Sequence, residues 1–321
     1  MLRPRERPPA NLGRPPQSAP AHALENEFMR STKKSHPPRP FRRLGSSPSA
    51  AESAPAAPAE AQGAASSGEE LRPPHPLLML MEARAPWEYA ALLAAAPWLS
   101  RLPSGDGHPV IVYPGLGASD FSTAALRSFL RERGYSAYAW KQGFNFGPRG
   151  GVLEGCRAQL AQVAARHRER VSLVGWSLGG VYARELAKEQ PEHARCVITL
   201  GTPFAGHPRA TNAWRLYEMV SGQTVHDEEL LEQIKVPPPC PTTSIYSRTD
   251  GVVAWQCSLE RESPHTDNIE VQASHLGMGL NPLTLYALAD RLAQREGEWR
   301  PFDRSGFRSY LYPDPRRPAS Y

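Results

Sequence analysis

From Pro109 onward the chain alternates short apolar runs with stretches of helical spacing, and few folds accommodate that rhythm. "PVIVYP" (109–114) leads through a Gly-rich loop to "FSTAALRSFLRERG" (121–134), whose apolar residues recur at helical intervals and stop at a glycine. "YSAYAW" (135–140) predicts a strand, "LEGCRAQLAQVAARHRERV" (153–171) a helix and "VSLVG" (171–175) a strand. A helix over roughly 179–190 and strands at "CVITLG" (196–201), "TTSIYS" (242–247) and "NIEVQA" (268–273) continue the pattern. A last helix opens at "NPLTLYALADRL" (281–292), with Asn281 suited to its cap and Pro282 to its first turn. Strands this apolar are buried on both faces, so the alternation predicts an α/β fold, a mostly parallel sheet with helices on both faces. Segment 207–241 breaks the rhythm. It carries two helix-like pieces, "NAWRLYEMV" and "DEELLEQI", with no strand between them, and predicts a small helical cap above the strand ends, where ligands bind in such sheets.

Composition divides the chain. Residues 1–75 hold 14 of its 34 prolines and the Ala/Ser/Gly stretch "SSPSAAESAPAAPAEAQGAASSG". Such a segment cannot bury enough apolar surface to offset the ordering of its backbone, which predicts a disordered, basic, Pro/Ala-rich tail. The folded domain is expected over 76–300, with the cap insertion at about 207–241, and 301–321 as a C-terminal extension. The basic balance belongs to the tail: residues 1–50 carry a net +7, the whole chain +5, and residues 51–321 therefore about −2. Without aromatic interleaving or a nucleic-acid module, no nucleic-acid partner is expected. "PWEYAALLAAAPWLSRL" (86–102) predicts an apolar helix packed on the main body; it lacks the cationic face of a membrane-surface helix. No run approaches the ~20 apolar residues that span a bilayer, and "FRRLGSSPSAAES" continues polar where a signal peptide turns apolar. Cys156, Cys196, Cys240 and Cys257 lie far apart, form no CxxC pair and are expected as free thiols, consistent with a cytoplasmic protein.

One motif carries chemistry. Gly175-Trp176-Ser177-Leu178-Gly179 fits G-x-S-x-G between a predicted strand and a predicted helix. Glycines let the chain turn tightly enough to project a serine, and the helix that follows aims its N–H groups at developing negative charge. Taken alone, the same residues also suit a helix N-cap serine. Asp250, in "SIYSRTDGVVAW" (244–255), follows a predicted strand, where it can accept a histidine Nδ1–H or simply form an Asp-Gly turn. Of ten histidines, His275 in "ASHLGMGLNP" alone follows the last strand downstream of both Ser177 and Asp250.

The order Ser177, Asp250, His275, with "YPGLGASD" after the first strand and "LGTPFAG" at 200–206, resembles the α/β-hydrolase superfamily, and within it bacterial lipase- and esterase-like proteins. The likeness covers about 105–295. It implies a nucleophile at Ser177, an acid at Asp250, a base at His275 and a lid between the sixth and seventh strands of the family's sheet. Where many lipases carry His-Gly this chain has Pro114-Gly115; the backbone donor that follows is unaffected, so the N–H groups of Leu116 and Leu178 are expected to form the oxyanion hole. Trp176, Phe204, Trp214 and Tyr217 are candidate substrate-lining residues. The activity implied is hydrolysis of small-molecule or lipid carboxylic esters through an acyl-enzyme, with no metal and no cofactor. An acyltransferase or thioesterase would use the same groups, and a non-catalytic scaffold of this fold remains a further alternative.

Overall fold

A computed structural model describes residues 72–206, 210–212 and 228–317. Backbone contacts divide the chain into Met1–Ala65 and Ser66–Tyr321, and every described residue belongs to the second unit. The tail expected to be disordered lies outside the described residues, apart from residues 72–75.

Among the described residues six strands form one parallel sheet: β1 (Pro109–Tyr113), β2 (Ser136–Ala139), β3 (Val171–Trp176), β4 (Ala194–Leu200), β5 (Thr242–Tyr246) and β6 (Thr266–Glu270), in the order β2-β1-β3-β4-β5-β6. Helices α1 (Pro76–Leu80) and α2 (Ala85–Leu99) precede the sheet. α3 (Ala124–Glu132), α4 (Val152–His167) and α5 (Leu178–Glu189) connect the first four strands in turn, and α6 (Glu228–Lys235) lies between β4 and β5. α7 (Pro282–Leu292) and the short α8 (Arg308–Leu311) follow β6.

The apolar runs become strands because both sides of the sheet are covered. Val110 and Val112 of β1 point into one core with Leu126 and Leu130 of α3 and Leu285 of α7. Ile111 and Tyr113 point into the other with Leu160 of α4 and Ala183 of α5. Alternate residues of one strand thus feed two cores, and β1 is buried along its whole length. α3 buries Leu126, Phe129 and Leu130 at helical spacing. The Asn281 side chain caps α7 by accepting from Leu283 N–H at 2.9 Å, with Pro282 at the first helical position. α2 packs on α7, where Trp98 stacks on Tyr286 at 5.0 Å between ring centroids.

One strand boundary differs from expectation. β6 is Thr266–Glu270 rather than 268–273. Its opening residues are polar because they serve neighbours: Asp267 accepts Phe302 N–H at 2.6 Å, and Asn268 exchanges hydrogen bonds with the Glu260 main chain. Residues 301–317 pack on the domain. Phe302 and Tyr312 are buried in the core with 4.7 Å between their ring centroids, and Tyr312 Oη donates to Leu283 O at 2.9 Å.

The topology chooses where a site can form. β1 lies between β2 and β3, so the sheet grows outward on both sides of it. The loops leaving β1 and β3 therefore emerge side by side at the carboxyl edge, the crevice in which such sheets bind ligands. No helix among the described residues is long and apolar enough to cross a membrane.

Candidate active site

Ser177 occupies the corner between β3 and α5 with φ 53° and ψ −126°, a left-handed conformation unusual for a residue with a Cβ. Its N–H donates to Leu200 O at 2.8 Å, which ties the corner to β4. The turn closes against the β1 loop because two side chains are missing. A Cβ on Gly179 would collide with the Tyr113 carbonyl, and one on Gly115 would come within 3.2 Å of Ser177 Cβ.

That approach sets Leu116 beside Ser177 on one cavity wall. The Leu116 N–H donates to no acceptor among the described residues. The Leu178 N–H belongs to the first residue of α5 and has no intrahelical acceptor. The β1 loop is held by Asn145, fully buried, whose Nδ2 donates to Pro114 O at 2.7 Å. Its main chain also donates to Ala118 O and accepts from Gly117 N–H, both at 2.7 Å. No role for Asn145 was legible in the sequence; the one local signal is an asparagine between two phenylalanines in a Gly-rich loop.

Asp250 follows β5 and His275 follows β6. Asp250 Oδ2 lies 2.7 Å from His275 Nδ1, while Oδ1 accepts the N–H groups of Val252 and Val253, each at 2.8 Å. The carboxylate is therefore fixed at both oxygens, and with the Nδ1 proton facing Asp250 the lone pair of the ring falls on Nε2. Burial opposes a charge on His275, but the field and hydrogen bond of Asp250, with a further contribution from Glu82, outweigh it and raise its pKa above 6.5. The Trp176 indole donates to His275 O at 3.0 Å, bracing the loop from β3.

Ser177 and His275 line one cavity of about 340 Å³, walled by Met79, Leu116, Trp176, Val252 and Leu276, with no acidic or strongly basic side chain among its lining residues. No Ser177–His275 hydrogen bond is made in this structure. Trp176, one of the candidate substrate-lining residues, lines this cavity. Phe204 is buried beneath the Arg184 guanidinium, 3.8 Å from its ring centroid, and is not among the described residues that line this cavity. Trp214 and Tyr217 lie outside the described residues. A larger groove, about 540 Å³, runs between β6 and the C-terminal segment, but its walls are polar and hold none of these groups.

A second Asp–His–Ser chain shows what such a chain lacks when it is only structural. At the amino edge of the sheet His108 bonds Asp106 through Nδ1 and the Ser172 hydroxyl through Nε2, the latter at 2.8 Å. Ser172 is fully buried inside β3, and burial pushes the His108 pKa below 6.5. The four cysteines are free, and burial pushes the thiols of Cys156, Cys240 and Cys257 up to about 12, so none of these three is a competing nucleophile. Among the described residues no group of three or more His, Cys, Asp or Glu is placed to hold a metal ion.

A family model described as "Alpha/beta hydrolase family" matches residues 110–314. Comparison with curated proteins gives no match. Among solved structures the chain is similar to lipase B of Aspergillus fumigatus, at 17% identity over 62% of this chain and 56% of that one, with a TM-score of 0.48. It is also similar to a Bacillus licheniformis lipase in mature form, at 18% identity over 60% and 95% of the two chains, TM-score 0.46. A monoacylglycerol lipase from Paleococcus ferrophilus follows at 15% identity over 60% and 95%, TM-score 0.44. This chain spans little more than half the length of the Aspergillus lipase.

Proposed function

The chain belongs to the alpha/beta hydrolase family, and within it we propose that it is a serine hydrolase that cleaves carboxylic esters through an acyl-enzyme on Ser177. One observation carries this reading: a serine on a left-handed turn shares an apolar cavity with a histidine whose other ring nitrogen is engaged by a buried aspartate.

In the reaction, His275 Nε2 takes the Ser177 hydroxyl proton as Oγ attacks the ester carbonyl carbon. The Leu116 and Leu178 N–H groups receive the oxyanion; one such donor typically contributes ~3–4 kcal/mol to the transition state. Asp250 holds the ring orientation and stabilises the imidazolium. His275 then returns the proton to the departing alkoxide, which leaves as an alcohol. Water attacks the acyl-enzyme with His275 again as base, releasing the carboxylic acid and restoring Ser177.

The cavity walls favour an uncharged substrate with an apolar group of modest size. The test is hydrolysis of p-nitrophenyl esters from C2 to C16 by the wild type and by Ser177→Ala. Activity that vanishes in the variant supports the reading, and the preferred chain length separates esterase from lipase. Full activity in Ser177→Ala overturns it. Added alcohols as competing acyl acceptors separate hydrolysis from transfer.

A further inference from the structure

Glu82 is buried, 5% exposed, in a stretch whose neighbours Leu80 and Met81 face outward. It lies on the 3₁₀ turn Met81–Arg84 between α1 and α2. Its Oε1 accepts the N–H groups of Gly251 at 2.8 Å and His275 at 2.9 Å, and its Oε2 accepts that of Leu276 at 2.9 Å. One side chain thus grips the residue after the acid, the base itself and the residue after the base. Among the described residues no cation pairs with it.

The neighbouring residues extend the grip. Arg84 Nη2 donates to Thr249 O at 3.0 Å and to Thr249 Oγ1 at 2.8 Å. Glu88 Oε1 accepts the Ser274 N–H at 2.6 Å and the Arg84 guanidinium at 3.2 Å. Asp250 is therefore held at both flanking residues, and so is His275, from one short segment upstream of the sheet. The two loops otherwise meet through the Asp250–His275 bond and through the Ser247 and Thr249 hydroxyls on the Ala273 main chain.

We propose that Glu82 is a positioning residue, which sets the separation and orientation of Asp250 and His275 by binding both of their loops at once. This role rests on the triad reading given above. The carboxylate satisfies three buried N–H groups that an apolar replacement would leave unpaired. It also adds to the negative field at His275, alongside Asp250, while the Arg84 charge faces Thr249 and Glu88 faces Ser274.

The experiment uses the full chain and Glu82→Gln, which keeps the volume but turns an NH₂ toward an N–H. Ester kinetics are read beside an NMR titration of the His275 ring. The expected result is a kcat lower by about tenfold to a hundredfold, a KM changed less than about twofold, and a His275 titration moved to lower pH. Glu82→Asp keeps the charge on a stem too short to reach all three N–H groups; it is expected to lose kcat while its titration stays near wild type. A folded Glu82→Gln with wild-type kcat and titration overturns the assignment, and so does either change without the other. Failure of both variants to fold also overturns it, since the carboxylate is then structural. If the wild type hydrolyses no ester, the proposed reaction fails, and the ring titration alone decides the role of Glu82.

Discussion

In the proposed reaction Ser177 carries the chemistry, and its backbone carries a cost. Its φ of 53° and ψ of −126° place it where a side chain is strained, worth about 1–3 kcal/mol at such positions. Glycine accepts that conformation, and its extra freedom in the unfolded chain costs roughly 0.5–1 kcal/mol. Ser177→Gly should therefore be more stable than the wild type by about 1 kcal/mol and inactive toward esters; an unchanged or lower denaturation midpoint contradicts the strain. On the same proposal His275 sets the pH response. Only the neutral ring accepts the Ser177 proton, and burial, which opposes its charge, is outweighed by Asp250 and Glu82, so it titrates above 6.5. kcat/KM should rise along an acid limb whose midpoint lies above pH 6.5 and then level off. The same shift stabilises the fold fully below pH 6.5, a contribution lost as pH rises through the folded-state value. An acid limb below 6.5 would show that the burial of His275 prevails.

Elements differ in how much of themselves they display in the sequence. β1, β3 and β4 are legible because each feeds two cores and so reads as a continuous apolar run. β6 is half legible: Ile269 and Glu270 are buried, but Asp267 and Asn268 are spent on the C-terminal segment and the Glu260 loop. The turn bearing Glu82 leaves almost no trace. It is four residues long, and its partners lie 169 to 194 positions away on backbone amides, which carry no side-chain signature. The loop at 141–151 is similar, since Asn145 acts on main-chain groups of the β1 loop. That contact makes a prediction for the element it supports. Asn145→Ala frees the Pro114–Ala118 loop and should lower kcat by roughly tenfold to a hundredfold with little change in KM; a wild-type kcat would show that the loop holds its shape without it.

The whole molecule brings together four loops from four strands at one edge of a parallel sheet, and the order of strands makes that edge a crevice. G-x-S-x-G and the order of Ser177, Asp250 and His275 could be read from residues alone, because a turn and a chain order are local facts. The pairing of Asp250 with His275, the apolar wall at Met79 and the burial of Phe204 under Arg184 could not, because each depends on packing between distant segments. The C-terminal segment belongs to this assembly. Phe302→Ala should destabilise the fold by about 3–5 kcal/mol, read as a lower urea midpoint, as expected for a large aromatic removed from a core; a change under about 1 kcal/mol would mark the segment as peripheral. The central claim is that one serine is activated. Intact-mass and peptide analysis after treatment with a fluorophosphonate should show a single adduct per chain on Ser177, formed far more slowly in a His275→Ala variant. No adduct, or an adduct on another residue, would contradict the account.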